Sequence, residues 1–234
     1  GTDNVFLCVK DNYTGAFFSE KGEQLTPFNW GAYGNEYFVN DRIILAKGKE
    51  ERVLLDRNFN TLVDGFEYMA HGHDDLITAT LNHKSGIYNV KSKNWVIEPS
   101  YNWLSYVSDK SWIYGIYDDG MHYGIINEDA EIVVEATSIT IPTVFEQVVV
   151  LSHKDKHAFY CLHSGYQSDF EFQEILVTEN GITILAEKNG SWSIYNALGQ
   201  EIISDLIAPY QPMISQNMIG FQDAQGLWGF YECR

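Results

Sequence analysis

Apolar residues come in short runs of strand length, each cut off by glycine, asparagine, aspartate or lysine. Val5-Phe6-Leu7-Cys8-Val9, Arg42-Ile43-Ile44-Leu45-Ala46 and Leu76-Ile77-Thr78-Ala79-Thr80 are three such runs. They are rich in β-branched and aromatic side chains, which suit a pleated, half-buried surface. The punctuation between runs, Lys47-Gly48-Lys49-Glu50, Asp118-Asp119-Gly120 and Lys188-Asn189-Gly190, has the chemistry of hairpin turns. No window places apolar residues at i, i+3, i+4 and i+7, so no helix is predicted.

One run recurs: a small residue, two or three apolar or aromatic residues, then a polar turn. It reads Gly15-Ala16-Phe17, Val53-Leu54-Leu55, Gly86-Ile87-Tyr88, Gly124-Ile125-Ile126, Ala158-Phe159-Tyr160, Ser193-Ile194-Tyr195 and Gly229-Phe230-Tyr231. The small anchors at 15, 53, 86, 124, 158, 193 and 229 are 33 to 38 residues apart. A second run precedes each, giving seven two-armed copies. A short apolar run follows, as in Glu131-Ile132-Val133-Val134 and Glu201-Ile202-Ile203. The triplets Phe28-Asn29-Trp30, Phe66-Glu67-Tyr68, Tyr101-Asn102-Trp103 and Phe170-Glu171-Phe172 alternate with the period of a half-buried strand and read as a fourth element.

An isolated four-stranded sheet leaves apolar faces uncovered, so repeated sheets must stack. The expected fold is all-β, a single domain over residues 1–234. It is a β-propeller of four-stranded blades of about 36 residues, with seven blades ahead of six blades or an open β-repeat array. Aromatic residues make up 15% of the chain, which suits packing between broad sheets. A closed ring would bring Val5–Val9 near Trp228–Cys233 and set Cys8 beside Cys233. Three cysteines, with no Cys-x-x-Cys pair, do not make a disulfide framework.

Trp228-Gly229-Phe230, Tyr123-Gly124-Ile125-Ile126-Asn127 and Val96-Ile97-Glu98-Pro99-Ser100-Tyr101 carry a resemblance to the WG-repeat (KWG-like) family of bacterial proteins. That unit runs Trp-Gly-Tyr-Ile-Asp, a turn with glycine, an Ile/Val-rich strand, Pro and Tyr-Asp. The likeness spans nearly the whole chain. Its copies are degenerate: one Trp-Gly pair is in register, and Ala158, Ser193 and Val53 replace the glycine. The resemblance implies a repeat module for binding and transfers no catalytic residue.

With 32 acidic and 15 basic side chains the net charge is −17, which repels phosphate backbones, and no basic stripe is present. Nucleic acid is therefore not an expected partner. No apolar stretch is long enough to insert as a membrane helix. Gly1-Thr2-Asp3-Asn4 does not read as a signal peptide. Localisation stays open, with the periplasm or cell surface set ahead of the cytoplasm, and the oligomeric state is not readable.

His71-Gly72-His73-Asp74-Asp75 is the most metal-like cluster. In an extended segment His71 and His73 share a side and Asp74 adds oxygen, making these three the candidate metal ligands. The competing reading is a solvated loop. Cys161 and His163 would share a strand face and could form a thiolate pair. Trp30 and Trp103 hold equivalent places after the alternating triplet and are the candidate ligand-binding residues, against a role in inter-sheet packing. No hydrolase or phosphate-loop motif occurs, and no cofactor is expected. The reading is a non-catalytic binding or scaffolding module for a protein or glycan. Its alternative is a glycan-acting hydrolase or lyase with carboxylates in a central funnel.

Overall fold

The two arms of every copy form strands and pair antiparallel. Val5–Val9 pairs with Thr14–Ser19, Arg42–Ala46 with Arg52–Leu55, Leu76–Leu81 with Lys84–Asn89, and Ser111–Asp118 with Gly120–Asn127. Val148–His153 pairs with Lys156–Cys161, Thr183–Lys188 with Ser191–Asn196, and Met218–Gln222 with Trp228–Glu232. The computed structural model describes residues 5–10, 13–31, 37–39, 42–47, 51–108, 111–178, 181–207, 212–215, 218–222 and 225–232. Among these there is no helix, and hence none long and apolar enough to cross a membrane. Asn82 and His83, at φ 52° and 59°, make the two-residue turn that matches strand twist in the third copy.

An outer strand of six or more residues follows the second arm in four copies: Thr61–Phe66, Asn94–Tyr101, Ile132–Ser138 and Glu201–Leu206. Leading strands pair with the first arms of copies two, three, five, six and seven: Tyr37–Val39, Tyr68–His71, Thr143–Val144, Glu174–Val177 and Met213–Ser215. The alternating triplets are not the fourth strand. Phe66 ends one strand and Tyr68 begins the next, in a different sheet, with the Glu67 N–H donated to the Thr80 carbonyl. Tyr101 and Trp103 likewise close and open separate strands. Period-2 alternation runs through both flanks of a corner because both are extended, so it does not mark where the sheet changes. The first two copies are also not separate sheets. Trp30–Gly31 pairs with the second arm of copy one, and Gly31 pairs with Ala46 of copy two, joining them in one seven-stranded sheet.

Contacts divide the chain into two units, residues 1–106 and 107–234. In the first, Phe17 of copy one packs against Ile43, Leu45, Val53 and Leu55 of copy two. The other side of copy two presents Ile44 and Leu54 to Met69, Ile77 and Ala79 of copy three. In the second unit, Phe159 of copy five meets Ile184 and Ala186 of copy six, and Ile194 of copy six meets Ile219 of copy seven. The residue after the anchor is thus the one that faces the following sheet. This rule moves the first anchor from Gly15 to Ala16, because Phe17 is the side chain that faces copy two.

The same register governs the turns. Three residues after the anchor, a side chain brackets the turn that follows. Asp56 accepts from the N–H groups of Asn58 and Asn60, both at 2.8 Å. Asn127 accepts from Asp129 (3.1 Å) and Glu131 (2.9 Å), and Asn196 from Leu198 (3.0 Å) and Gln200 (2.9 Å). Asn89 accepts from Lys91 and Ser92, and Ser19 from Glu23. These hydrogen bonds, led by the Asn60 side chain, hold the Asp56 carboxyl below its ordinary value. Six residues after the anchor the chain turns left-handed, at Gly22, Phe59, Ala130 and Gly199. Ala130 sits there exposed at φ 66°, a conformation that crowds its Cβ. Ala130→Gly is therefore expected to stabilise the fold by about 0.5–1 kcal/mol, read as a rise in urea midpoint at constant m. An unchanged or lower midpoint would show that this turn carries no such strain.

Candidate functional site

Residues 72–75 link Tyr68–His71 to Leu76–Leu81 in a tight loop. A Cβ on Gly72 would lie 2.4 Å from the Leu76 carbonyl oxygen, so only glycine fits. The Leu76 N–H donates to the His73 carbonyl at 2.8 Å, and Asp74 turns left-handed at φ 50°. His73 Nε2 lies 3.3 Å from the Asp74 carboxylate, and its ring stacks on Tyr106 at 6.3 Å and 13°. Arg42 donates to the Asp74 carbonyl and forms an ion pair with Asp75. His73, Asp74 and Asp75 thus each have a protein partner. The His71 side chain lies outside the described residues. Among those described, no group of three or more His, Cys, Asp and Glu stands together as a metal-ligand set.

Trp30 pairs across from Gly15 and is half-buried, its ring packed on the Phe17, Ile43 and Leu45 core. Its indole Nε1 is buried with no hydrogen-bond partner among the described residues. Trp103 is half-buried at the start of Trp103–Tyr106, just before buried Leu104.

Cys161 and His163 do not share a face. The strand ends at Cys161, where Gly165 donates to the Cys161 carbonyl and the chain turns. Cys161 points into the core beside Val148 and Phe159, while His163 is exposed. Burial pushes the Cys161 thiol up to about 11, against a weaker lowering by the Ser164 hydroxyl. It stays a neutral thiol at physiological pH. Because the folded chain holds this proton more tightly, its contribution to stability is complete below about 9 and is lost as pH rises towards about 11. Cys8 is an exposed free thiol, and Cys233 lies outside the described residues. A thiol-specific label at pH 8 is expected to modify Cys8 within minutes and to reach Cys161 only on unfolding, as located by peptide mass mapping. Native-state labelling of Cys161 would contradict its burial.

The surface that stands out is the last sheet. Ile214, Ile219, Phe221 and Tyr231 face the core between copies six and seven. The alternate residues form the other side, with Met213 opposite Gly220 and Gly220 opposite Phe230. Met213, Met218, Trp228 and Phe230 are all exposed there. The Trp228 and Phe230 rings are near-parallel, 6.2 Å apart at 17°, and lean over Gly220. At the position after the anchor, Phe17, Leu54, Ile87, Ile125, Phe159 and Ile194 are at most 1% exposed, whereas Phe230 is 64% exposed. Trp228 is the one tryptophan of the six in the exposed class. The sequence gives no separate sign of this, because Phe230 has the same local pattern as buried Phe159.

No known family profile and no curated protein matches the chain. Among solved structures it is similar to BamB from Moraxella catarrhalis, at 12% identity and a TM-score of 0.45, over 98% of this chain and 82% of that one. It is also similar to Kluyveromyces marxianus Hsv2 (6% identity, TM-score 0.49, covering 95% and 92%) and Kluyveromyces lactis Hsv2 (8%, 0.46, 99% and 95%). At these identities and TM-scores the likenesses assign neither an activity nor a ligand.

Proposed function

We propose that the chain is a non-catalytic binding or scaffolding module of the WG-repeat kind, an all-β array of propeller-like repeats whose partner is a protein. The observation that carries this is the exposed Met213, Met218, Trp228 and Phe230 side of the last sheet. Large apolar side chains gathered on one exposed face are a feature of interaction surfaces. Methionines adapt to irregular partners, and aromatic rings anchor them. A net charge of −17 favours partners with basic residues around an apolar centre. The second reading is a glycan, favoured by the flat Trp228–Phe230 ring pair, on which a sugar can stack.

A peptide library and a glycan array, each screened with the native chain and with Trp228→Ser and Phe230→Ser, test this. Peptide binding that changes Trp228 fluorescence and is lost in both variants supports a protein partner. Glycan binding alone, or binding indifferent to both substitutions, overturns it. Turnover of any glycan on the array would overturn the non-catalytic reading.

A further inference from the structure

We propose that Asn189-Gly190 is a covalent modification site gated by the fold: it loses ammonia and becomes aspartate or isoaspartate when residues 171–173 let go of the hairpin that carries it. This goes beyond the binding-module reading and does not depend on it.

The chemistry is intrinsic to the pair. Glycine has no side chain to shield its main-chain nitrogen, which can close on the amide carbon of a preceding asparagine. The Gly190 nitrogen gives up its proton to water and bonds to Asn189 Cγ. The Cγ–Nδ2 bond breaks, and Nδ2 takes up a proton and leaves as ammonia. Water then opens the cyclic imide at either carbonyl, giving aspartate or isoaspartate. Water is the co-reactant, and no oxidant or reductant takes part. Asn189, Gly190 and Gln173 are exposed, so water reaches the site.

The fold holds the pair away from this geometry. Lys188 pairs with Ser191 in the ladder, so Asn189 and Gly190 are the whole loop, at φ 56° and 81°. That is a primed turn, whose left-handed backbone sets the Gly190 nitrogen nearly opposite Asn189 Cβ across the Cα–C bond. The Gly190 N–H is donated to the Glu187 carboxylate. Gln173 clamps the asparagine from outside the hairpin. Its Oε1 accepts from the Asn189 N–H at 3.1 Å, and its Nε2 donates to Asn189 Oδ1 at 3.4 Å. The Gln173 N–H donates to the Glu187 carbonyl at 2.8 Å, and Glu171 forms an ion pair with Lys188. Between these two residues, Phe172 is tied to copy five. It bridges to His157 through the main chain, and its ring lies 5.9 Å from that of Phe159. The clamp is thus part of the contact between copies five and six, and whatever parts them there releases the loop. Conversion then puts a new carboxylate beside Glu187. Isoaspartate also adds its Cβ to the main chain, so the two-residue turn does not close again and the opening is recorded in the covalent structure.

The test incubates the full chain, its Gln173→Ala variant and a synthetic peptide copying residues 186–192 (Ala-Glu-Lys-Asn-Gly-Ser-Trp) at pH 8, read by peptide mass mapping and an isoaspartate assay. Cleavage after Lys188 separates this site from Asn180-Gly181. Conversion of Asn189 is expected to be at least about tenfold slower in the native chain than in the peptide, and at least about fivefold faster in Gln173→Ala than in the native chain. Gln173 is exposed, so its truncation keeps the fold. Conversion as fast in the native chain as in the peptide overturns the gate. A native rate in Gln173→Ala, or an acceleration that a fall in global stability in urea accounts for, overturns the clamp and with it the proposal. A peptide that does not convert removes the site itself. Each of these failures leaves the binding-module reading standing.

Discussion

Phe159→Ala is expected to destabilise the fold by about 4 kcal/mol, the range for truncating a fully buried phenylalanine. Phe159 is wholly buried, with rings on three sides. Tyr195 lies at 5.1 Å, Tyr166 at 5.8 Å and Phe172 at 5.9 Å. Val148, Cys161, Ile184 and Ala186 complete the core between copies five and six. Strands on both sides hold these neighbours, so the space left by the ring would close only in part. The informative control is Phe230→Ala, the same repeat position in copy seven. Phe230 is exposed, so its truncation is expected to change stability by less than about 0.5 kcal/mol. Urea denaturation of both variants reads the contrast. Equal losses would mean that the Phe230 face is covered in solution.

The second large effect is expected at Gly86. Its backbone is not left-handed, so conformational freedom is not the reason for glycine there. The reason is space. A Cβ would meet the Ile97 carbonyl oxygen at 2.3 Å, the Pro99 nitrogen at 2.9 Å and the Glu98 carbonyl carbon at 3.0 Å. All three are main-chain atoms of the outer strand, which cannot withdraw without breaking its ladder. Gly86→Ala is expected to destabilise by about 3 kcal/mol. Gly190→Ala separates the two roles of glycine, since Gly190 has φ 81° and nothing within 4 Å of its Cβ position. That substitution meets only conformational strain, about 1 kcal/mol. If Gly86→Ala proves no worse than Gly190→Ala in urea midpoint, the outer strand yields and steric fit is not what selects the anchor.

The seven hairpins were legible because alternation and turn chemistry act within a few residues of each other. The first anchor was misplaced by one residue because Gly15 and Ala16 are both small. Only the direction of Phe17 and the cap at Ser19 settle it. The triplet corners were misread because an extended chain keeps its period while changing sheets. The loop at His73 and Asp74 was legible as polar, but not its tie to Arg42, which comes from 33 residues before Asp75. The exposure of Phe230 was beyond any local pattern, since burial depends on what stands opposite.

Nearly all the ladders join strands that follow one another along the chain, and the turns outside the arms are closed by their own Asp, Asn or Ser side chains. Contact order within a copy is therefore low, and ribbons of this kind zip in microseconds. The slow events are the dockings of one finished ribbon on its neighbour. During synthesis each ribbon can close as it leaves the ribosome and wait, half wet, for the next. The tyrosines, phenylalanines and tryptophans that make the mature interior are, in that interval, its chief risk of misassembly.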